Sequence, residues 1–309
     1  MYFECLNNTP KDYISDLTLI DDTLNVIVTA WDGTLTLYAC DANEQLLTMK
    51  HDHGLLCSTS SSGGRIFVGS VQGEVLEVDM ESGKFRLVCD DSQLGVCAIS
   101  TAGNHLVAGS WDGSIQVIDL KTGKVWYNKK FEDRKVLALD CNESKIVVAY
   151  TGGKLAVYDV KNMNIPVVRD SGLKFQCRDL KIMPSGDGYA QSSVDGRVAI
   201  EYFEDESSRF AFRCHRMNLS DTQFVFPVNT LAFSSREHLY TGGSDGRVFG
   251  WNLKTRKKSE ELPKFDESVV RVVTNKKVLC VATADDSFKT SATVQGVEIS
   301  PGQIYFTKL

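Results

Sequence analysis

The sequence has no positive charge to spare. Its 34 Lys and Arg stand against 40 Asp and Glu, a formal charge of −6, with a pI near 5.5. A surface built to hold a nucleic-acid backbone or an anionic membrane needs the opposite balance. No apolar run approaches the roughly 18 residues that cross a bilayer. The opening Met1-Tyr-Phe-Glu-Cys-Leu6 carries an acid and no basic stretch, so no secretory signal is expected. None of the nine cysteines stands in C-x-x-C spacing, and an odd number cannot all pair within one chain. They are expected to be free, mostly buried thiols of a reducing compartment. There is no G-x-G-x-x-G and no P-loop. Five histidines leave little for acid–base chemistry, and His51-Asp-His53 is a metal pair without a third ligand. Gly242-Gly-Ser-Asp-Gly246 matches a nucleophile-elbow string. That elbow needs a helix after it, whereas alternating strand text follows here. The sequence therefore predicts no enzyme, no cofactor and no metal.

Helical periodicity is also nearly absent, and a repeat stands in its place. Ala30-Trp-Asp-Gly33, Ser70-Val-Gln-Gly73, Ser110-Trp-Asp-Gly113, Tyr150-Thr-Gly-Gly153, Ser193-Val-Asp-Gly196 and Gly243-Ser-Asp-Gly246 space their last glycines by 40, 40, 40, 43 and 50 residues. A β-branched run such as Lys145-Ile-Val-Val-Ala149 precedes each turn, and an alternating strand such as Lys154-Leu-Ala-Val-Tyr158 follows it. The glycines suit the positive φ of a two-residue hairpin turn. A period of about 40 to 45 residues with four strands per unit is the mark of a β-propeller blade. Six units are clear, and residues 276–307 supply a seventh, with a hairpin expected at Asp285-Asp286. Tyr2-Phe-Glu-Cys-Leu6 has no hairpin partner and is expected to pair into the last blade, because ring closure removes exposed sheet edges. The expected fold is all-β: a seven-bladed propeller of WD-repeat type forming a single domain over 1–309. Its 42% apolar and 24% charged content suits a folded chain.

In a meander of strands a to d, the b–c turns and the d-to-a linkers share one face. Trp31, Trp111, Arg197 and Arg247 flank b–c turns and are expected to crowd that face near the central channel. Arg209-Phe-Ala-Phe-Arg-Cys-His-Arg216 reads as strand d of the fifth blade, with Arg216 where it meets the linker. Residues 197–264 hold 11 basic and 9 acidic residues, against 23 and 31 elsewhere, a local +2 on a −8 background. Such a field suits an acidic or phosphorylated peptide, which arginine holds bidentately. Blander roles stand beside these. Trp31 and Trp111 are alternatively core or rim filling, Arg197 pairs with an Asp of a neighbouring turn, and Arg213 and Arg216 are edge charges. Arg236 and His238 lie in an a–b turn, where a solvated loop is the default.

Five strings are more specific than the repeat. They are Pro10-Lys-Asp-Tyr-Ile-Ser-Asp-Leu17, Ser193-Val-Asp-Gly-Arg-Val-Ala-Ile-Glu-Tyr202, Phe210-Ala-Phe-Arg-Cys-His-Arg216, Phe226-Pro-Val-Asn-Thr-Leu-Ala-Phe233 and Thr241-Gly-Gly-Ser-Asp-Gly246. Together they resemble the WD-repeat mitotic checkpoint family named for budding uninhibited by benzimidazole, third member. Ala284-Asp-Asp-Ser-Phe-Lys-Thr290 resembles its fungal versions. The repeats are divergent, with no Gly-His dipeptide. The resemblance implies a spindle assembly checkpoint adaptor of the nucleus and the mitotic kinetochore, a monomeric propeller inside hetero-complexes. Its implied partners are the GLEBS motifs of the checkpoint kinase and its kinase-related partner, and phosphothreonine in Met-Glu-Leu-Thr repeats of an outer-kinetochore scaffold. Neither nucleic acid nor membrane is implied. Trp31 and Arg197, with Trp111 as a lesser addition, would hold the GLEBS segment and its glutamates. Arg216 would take the phosphate, with Arg213 near it. A second basic group is expected from the Ser235-Arg-Glu-His238 turn, as Arg236 or His238, where relatives have lysine. The related messenger-RNA export propeller of the nuclear pore, which shares GLEBS binding, is the alternative.

Overall fold

The computed structural model describes residues 1–21, 23–286 and 300–309. Seven four-stranded antiparallel sheets form the blades. Blades 1 to 6 span 14–50, 55–89, 96–130, 136–170, 177–213 and 228–261. Blade 7 combines Ser268–Thr274, Val278–Ala284 and Gln303–Lys308 with the N-terminal strand Glu4–Cys5, which pairs Glu4 with Phe306 and Cys5 with Tyr305. The two chain ends thus close the ring in one sheet, as the sequence predicts.

The burial of each strand explains its text. Strand b is covered by neighbours on both sides. Ile146–Tyr150 is buried at every position, which is why it reads as an unbroken apolar run. Strand d sits at the rim and alternates, as in Lys124–Lys130. The core lies between successive blades, where Ile27, Leu35 and Leu37 of blade 1 pack on Ile66, Val68 and Leu76 of blade 2. At the closing seam Leu6, Ile14 and Tyr38 meet Val278, Ile304 and Phe306. Each such side chain contributes roughly 1.5–3 kcal/mol on burial.

The inner strands are stapled around the channel. Every strand a is irregular near its start, with register shifts at Ile14/Asp16, Cys177/Leu180, Val228/Thr230 and Val269/Arg271 among others. Strand a is also the inner edge of its sheet, so some of its N–H groups point away from the ladder, and side chains of the preceding blade accept from them. Asp16 accepts from the Ser58 N–H at 2.8 Å, Asp179 from Leu231 at 2.8 Å, and Thr230 from Val272 at 3.1 Å. Asp140 does the same one layer lower, accepting from Ile182 at 2.8 Å.

The structure departs from the sequence reading at three places. The b–c turns are wider than two residues. In Trp31-Asp-Gly33 only the glycine has positive φ (86°), and its N–H closes the turn on Ala30 O at 3.0 Å. The glycine is needed for space as well, since a Cβ there would lie 2.3 Å from His51 O in the adjoining linker. Secondly, Thr283 pairs with Gln303, so the connection in blade 7 runs over 284–302 and is not a tight hairpin at Asp285-Asp286. Ser287–Thr290, part of the string that resembles fungal versions, lie outside the described residues. Thirdly, strand d of blade 5 stops at Arg213. His215 takes φ 48°, and Arg216–Leu219 and Thr222–Val225 form a hairpin of their own in the linker. Ser220, at φ 49°, turns that hairpin.

All nine cysteines are free; six are buried, Cys97 and Cys177 half-buried, and Cys5 exposed.

Candidate peptide-binding face

The turn glycines lie on the linkers: Gly113 against Phe131 O and Arg134 O, Gly196 against Cys214 O, and Gly246 against Phe265 O. The b–c turns and d-to-a linkers therefore form one face, and what they carry is gathered there. Trp31 of blade 1 and Trp111 of blade 3 stack across the channel mouth, with centroids 6.2 Å apart at 26°. Trp31 is 43% exposed. The ring of Trp111 is packed on Gly95, where a Cβ would come within 3.1 Å of it. Below the pair lies a cavity of about 330 Å³, walled also by Tyr13, Arg178, Asn229 and Arg271. The two tryptophans fill neither core nor rim. They form an aromatic platform, and such pairs are worth about 0.5–1.5 kcal/mol beyond the area they bury.

Blade 5 supplies the arginines of this face. Arg197 and Arg213 are direct cross-strand partners. Side chains opposed in this way sit about 5 Å apart at Cβ, and like charges there repel. Asp195 Oδ2 lies 2.9 Å from Arg197 Nε, although that N–H is not aligned to hydrogen-bond. Arg197 thus pairs with an acid of its own turn. Arg216 reaches the same turn and donates from Nη2 to Asp195 O at 2.8 Å, and from Nη1 to Gln223 Oε1 at 2.9 Å. Its Nε is buried without an acceptor. Among the described residues no carboxylate forms an ion pair with Arg213 or Arg216. The cluster is thus held by neutral acceptors and one aspartate, so positive charge is left over.

The linker is fixed by a network the sequence reading did not find. His215 is fully buried; its Nδ1 faces Asp245 Oδ1 at 2.8 Å and its Nε2 faces Thr241 Oγ1 at 2.9 Å. Trp251 Nε1 donates to the same Thr241 hydroxyl at 3.0 Å. With Nδ1–H donating to the Asp245 carboxylate, Nε2 accepts from the Thr241 hydroxyl, which itself accepts from Trp251. His215 follows Cys214 and not a glycine, so it carries no Gly-His dipeptide. Histidine two residues after the last strand position, with Thr-Gly-Gly-Ser-Asp downstream, was the available signal.

Arg236 and His238 are not part of this cluster. They stand at the a–b turn of blade 6, on the opposite face. Arg236 Nη2 approaches Asp187 Oδ2 of the a–b turn in blade 5 at 3.4 Å. His238 Nδ1 contacts Ser234 Oγ at 2.7 Å and Nε2 contacts Ser259 Oγ at 3.0 Å. Burial lowers the His238 pKa, although Glu260 nearby pulls the other way. The expectation that either joins Arg216 around one phosphate fails on topology, because the whole of Val228–Ser235 lies between them. Arg247 is on the binding face but is taken by Glu261. Ser244 Oγ donates to Asp286 at 2.9 Å and receives Asn229 Nδ2 at 2.9 Å, the geometry of a structural hydroxyl.

The propeller fold has known counterparts. The structure of U3-55K superposes with a TM-score of 0.85 over 99% of this chain and 98% of that one, at 15% identity, which shows the fold alone. The sequence profile of the family described as outer membrane protein assembly factor BamB matches residues 29–164, where the turn glycines recur at 40-residue steps. The mitotic checkpoint protein bub-3 of Caenorhabditis elegans is 31% identical over 260 residues, covering 77% of this chain and 74% of the worm protein. The chain belongs to the Bub3 family. The Bub3 of Dictyostelium discoideum is 29% identical over 287 residues, 89% of this chain and 86% of that protein. The poly(A)+ RNA export protein of Schizosaccharomyces pombe is 29% identical over 271 residues, 82% of this chain and 75% of that protein. Bub3-family members are non-enzymatic WD-repeat propellers. In this one the stacked tryptophans and the blade-5 arginines share the b–c face.

Proposed function

We propose that this Bub3-family propeller is a spindle assembly checkpoint adaptor of the fungal type, acting in the nucleus and at the mitotic kinetochore. It carries GLEBS segments of the checkpoint kinase and its kinase-related partner over Trp31, Trp111 and Arg197. It docks on phosphothreonine in Met-Glu-Leu-Thr repeats of the kinetochore scaffold through Arg216, with Arg213 beside it. The observation behind this reading is the surplus of charge on blade 5. Two arginines oppose each other across strands, and a third is held by Asp195 O and Gln223. A phosphothreonine brings about −1.5 to −2 charges and three acceptor oxygens. It relieves the repulsion and satisfies the idle N–H groups, whereas a neutral threonine does neither. Binding is therefore gated by charge. The GLEBS segment is disordered when free, and its ordering on the aromatic platform has an entropic cost.

Calorimetry with a GLEBS peptide, with and without a phosphorylated repeat peptide, tests the reading. Equal curves for phosphorylated and unmodified repeats would remove the phosphate role. The 29% identity to an RNA export protein keeps messenger-RNA export as a second reading. That reading expects affinity for RNA with a steep salt dependence, and the −6 charge opposes it.

A further inference from the structure

Blade 5 puts an acid where five other blades put core residues. The fifth residue after each turn glycine is, in chain order, Tyr38, Val78, Ile118, Tyr158, Glu201 and Trp251. Tyr38, Val78, Ile118 and Tyr158 sit in hydrophobic clusters between blades, and Trp251 packs against one. Glu201 belongs to none of these. It is nonetheless only 7% exposed, the least of any Asp, Glu, Lys or Arg among the described residues. Its carboxylate accepts no hydrogen bond and forms no ion pair among the described residues. Buried carboxylates are normally paired, because leaving one without a partner is costly.

Glu201 lines a groove of about 600 Å³ between the outer strands of blades 4 and 5. Small residues, Gly172, Ala199 and Ala211, leave that space open. The carboxylate lies over Gly172, where a Cβ would come within 2.2 Å of Oε1. The glycine therefore makes room for the acid. The charged groups around it are engaged elsewhere or stand in solvent. Arg169 donates from Nη2 to the Tyr189 hydroxyl at 2.6 Å and lies over that ring, 5.4 Å from its centroid. Burial pushes the Tyr189 pKa up to about 12, so the phenol stays neutral. Arg169 makes no ion pair with Glu201, and its Nε is buried without an acceptor. Asp170 pairs with Lys154. Glu206 and Arg209 are both exposed. Arg197 stands four residues along the strand from Glu201, about 13 Å away. That exceeds a screening length at physiological salt.

We propose that this groove is a docking site for a basic side chain: a Lys or Arg of a partner peptide enters between blades 4 and 5 and pairs with Glu201. Such a cation brings the donors that Glu201 lacks and passes Glu206 on entry. An acidic side chain would be set against two carboxylates. An apolar one would bury Glu201 further and still leave it without a partner. In an enclosed groove the attraction is stronger than at an open surface, and the aliphatic stem of the guest covers Ala199 and Ala211. The site is distinct from the tryptophan platform and from Arg216, and it stands whether or not an acidic peptide crosses the b–c face.

The test is a magnetic-resonance titration of the full chain labelled at its alanine methyl groups, since Ala199 and Ala211 report on the groove. The probes are acetyl-Gly-Arg-Gly-amide, the same peptide with neutral citrulline for arginine, and acetyl-Gly-Glu-Gly-amide, each at low salt and up to millimolar concentration. The arginine peptide is expected to shift both methyls saturably, and the citrulline peptide to bind at least ~10-fold more weakly, about 1.4 kcal/mol. Glu201→Gln should cost the arginine peptide a similar factor. Gly172→Ala keeps the acid but crowds Oε1, and should weaken binding too. Thermal unfolding gives a readout without a ligand. Glu201→Gln removes a buried charge that the fold leaves unpaired, so the midpoint should rise by about 2–4 °C. A midpoint that stays or falls would mean that the fold already satisfies the carboxylate, and would overturn the proposal. So would unshifted methyls with the arginine peptide, equal binding of the citrulline peptide, tighter binding of the glutamate peptide, or full binding by Glu201→Gln.

Discussion

Arg216 and Arg236 stand at opposite ends of one structural unit. Arg216 opens the linker hairpin that leads into Val228–Ser235, and Arg236 follows that strand's last residue. Eight residues of strand span roughly 26 Å, so the two guanidinium groups belong to different faces of the disc. Their partners differ accordingly. Arg216 is held by a backbone carbonyl and an amide oxygen. Arg236 is paired with the Asp187 carboxylate and is 73% exposed in its side chain. The first arrangement orients a cation and keeps its charge available; the second neutralises the charge and leaves the group in solvent. A basic residue is thus read as a binding residue from what holds it, not from how near it lies in sequence to another.

Four measurements sharpen or break this contrast. The largest effect is expected from Gly196→Ala, which strikes the turn that carries Asp195, the anchor of Arg216. Its φ is +66°, and a Cβ would lie 2.7 Å from Cys214 O. The left-handed backbone alone costs roughly 1–2 kcal/mol for an L-residue. A total loss of about 2–4 kcal/mol is expected, read by denaturant unfolding, together with weaker phosphopeptide binding. Unchanged stability would mean that the turn is not what fixes Arg216.

Next comes Arg216→Ala. Binding of a phosphorylated repeat peptide should fall at least ~30-fold, about 2 kcal/mol, with GLEBS binding largely intact by calorimetry. The companion Arg236→Ala should leave both affinities within twofold and change stability by less than about 0.5 kcal/mol, as for an exposed pair. If the two substitutions exchanged effects, the assignment of the faces would be wrong. The smallest effect concerns His238. Burial lowers its pKa, so the unfolded chain binds more protons as pH drops. Its contribution to stability is present above pH 6.5, the unfolded value, and is lost as pH falls through and below it. His238→Gln should flatten that part of the stability–pH profile, and phosphopeptide affinity should not follow it. An affinity change with the same midpoint would place His238 at the site after all.

Much of the fold was legible in the residues. Turn glycines at near-constant spacing, each after a β-branched run, point to repeated four-stranded sheets, and an orphan first strand points to closure by the N-terminus. The shared face of Trp31, Trp111, Arg197 and Arg216 followed from strand alternation alone. Less legible was whatever depended on contacts between blades. His215 was missed because its signal is three-dimensional: Asp245, Thr241 and Trp251 surround it from the next blade.

The amino-acid order by itself determined the number of blades, the turn positions and the face on which each turn residue emerges. Those properties are local: hairpins set strand direction, and a two-residue period sets the side to which each residue points. Only the closed ring decided which charges remain. It brings Trp31 over Trp111 and sets Asp16 against Arg271 across the seam. The physical reason is that ion pairing and stacking act over a few ångströms between residues of different blades, and no spacing along the chain encodes which of them meet.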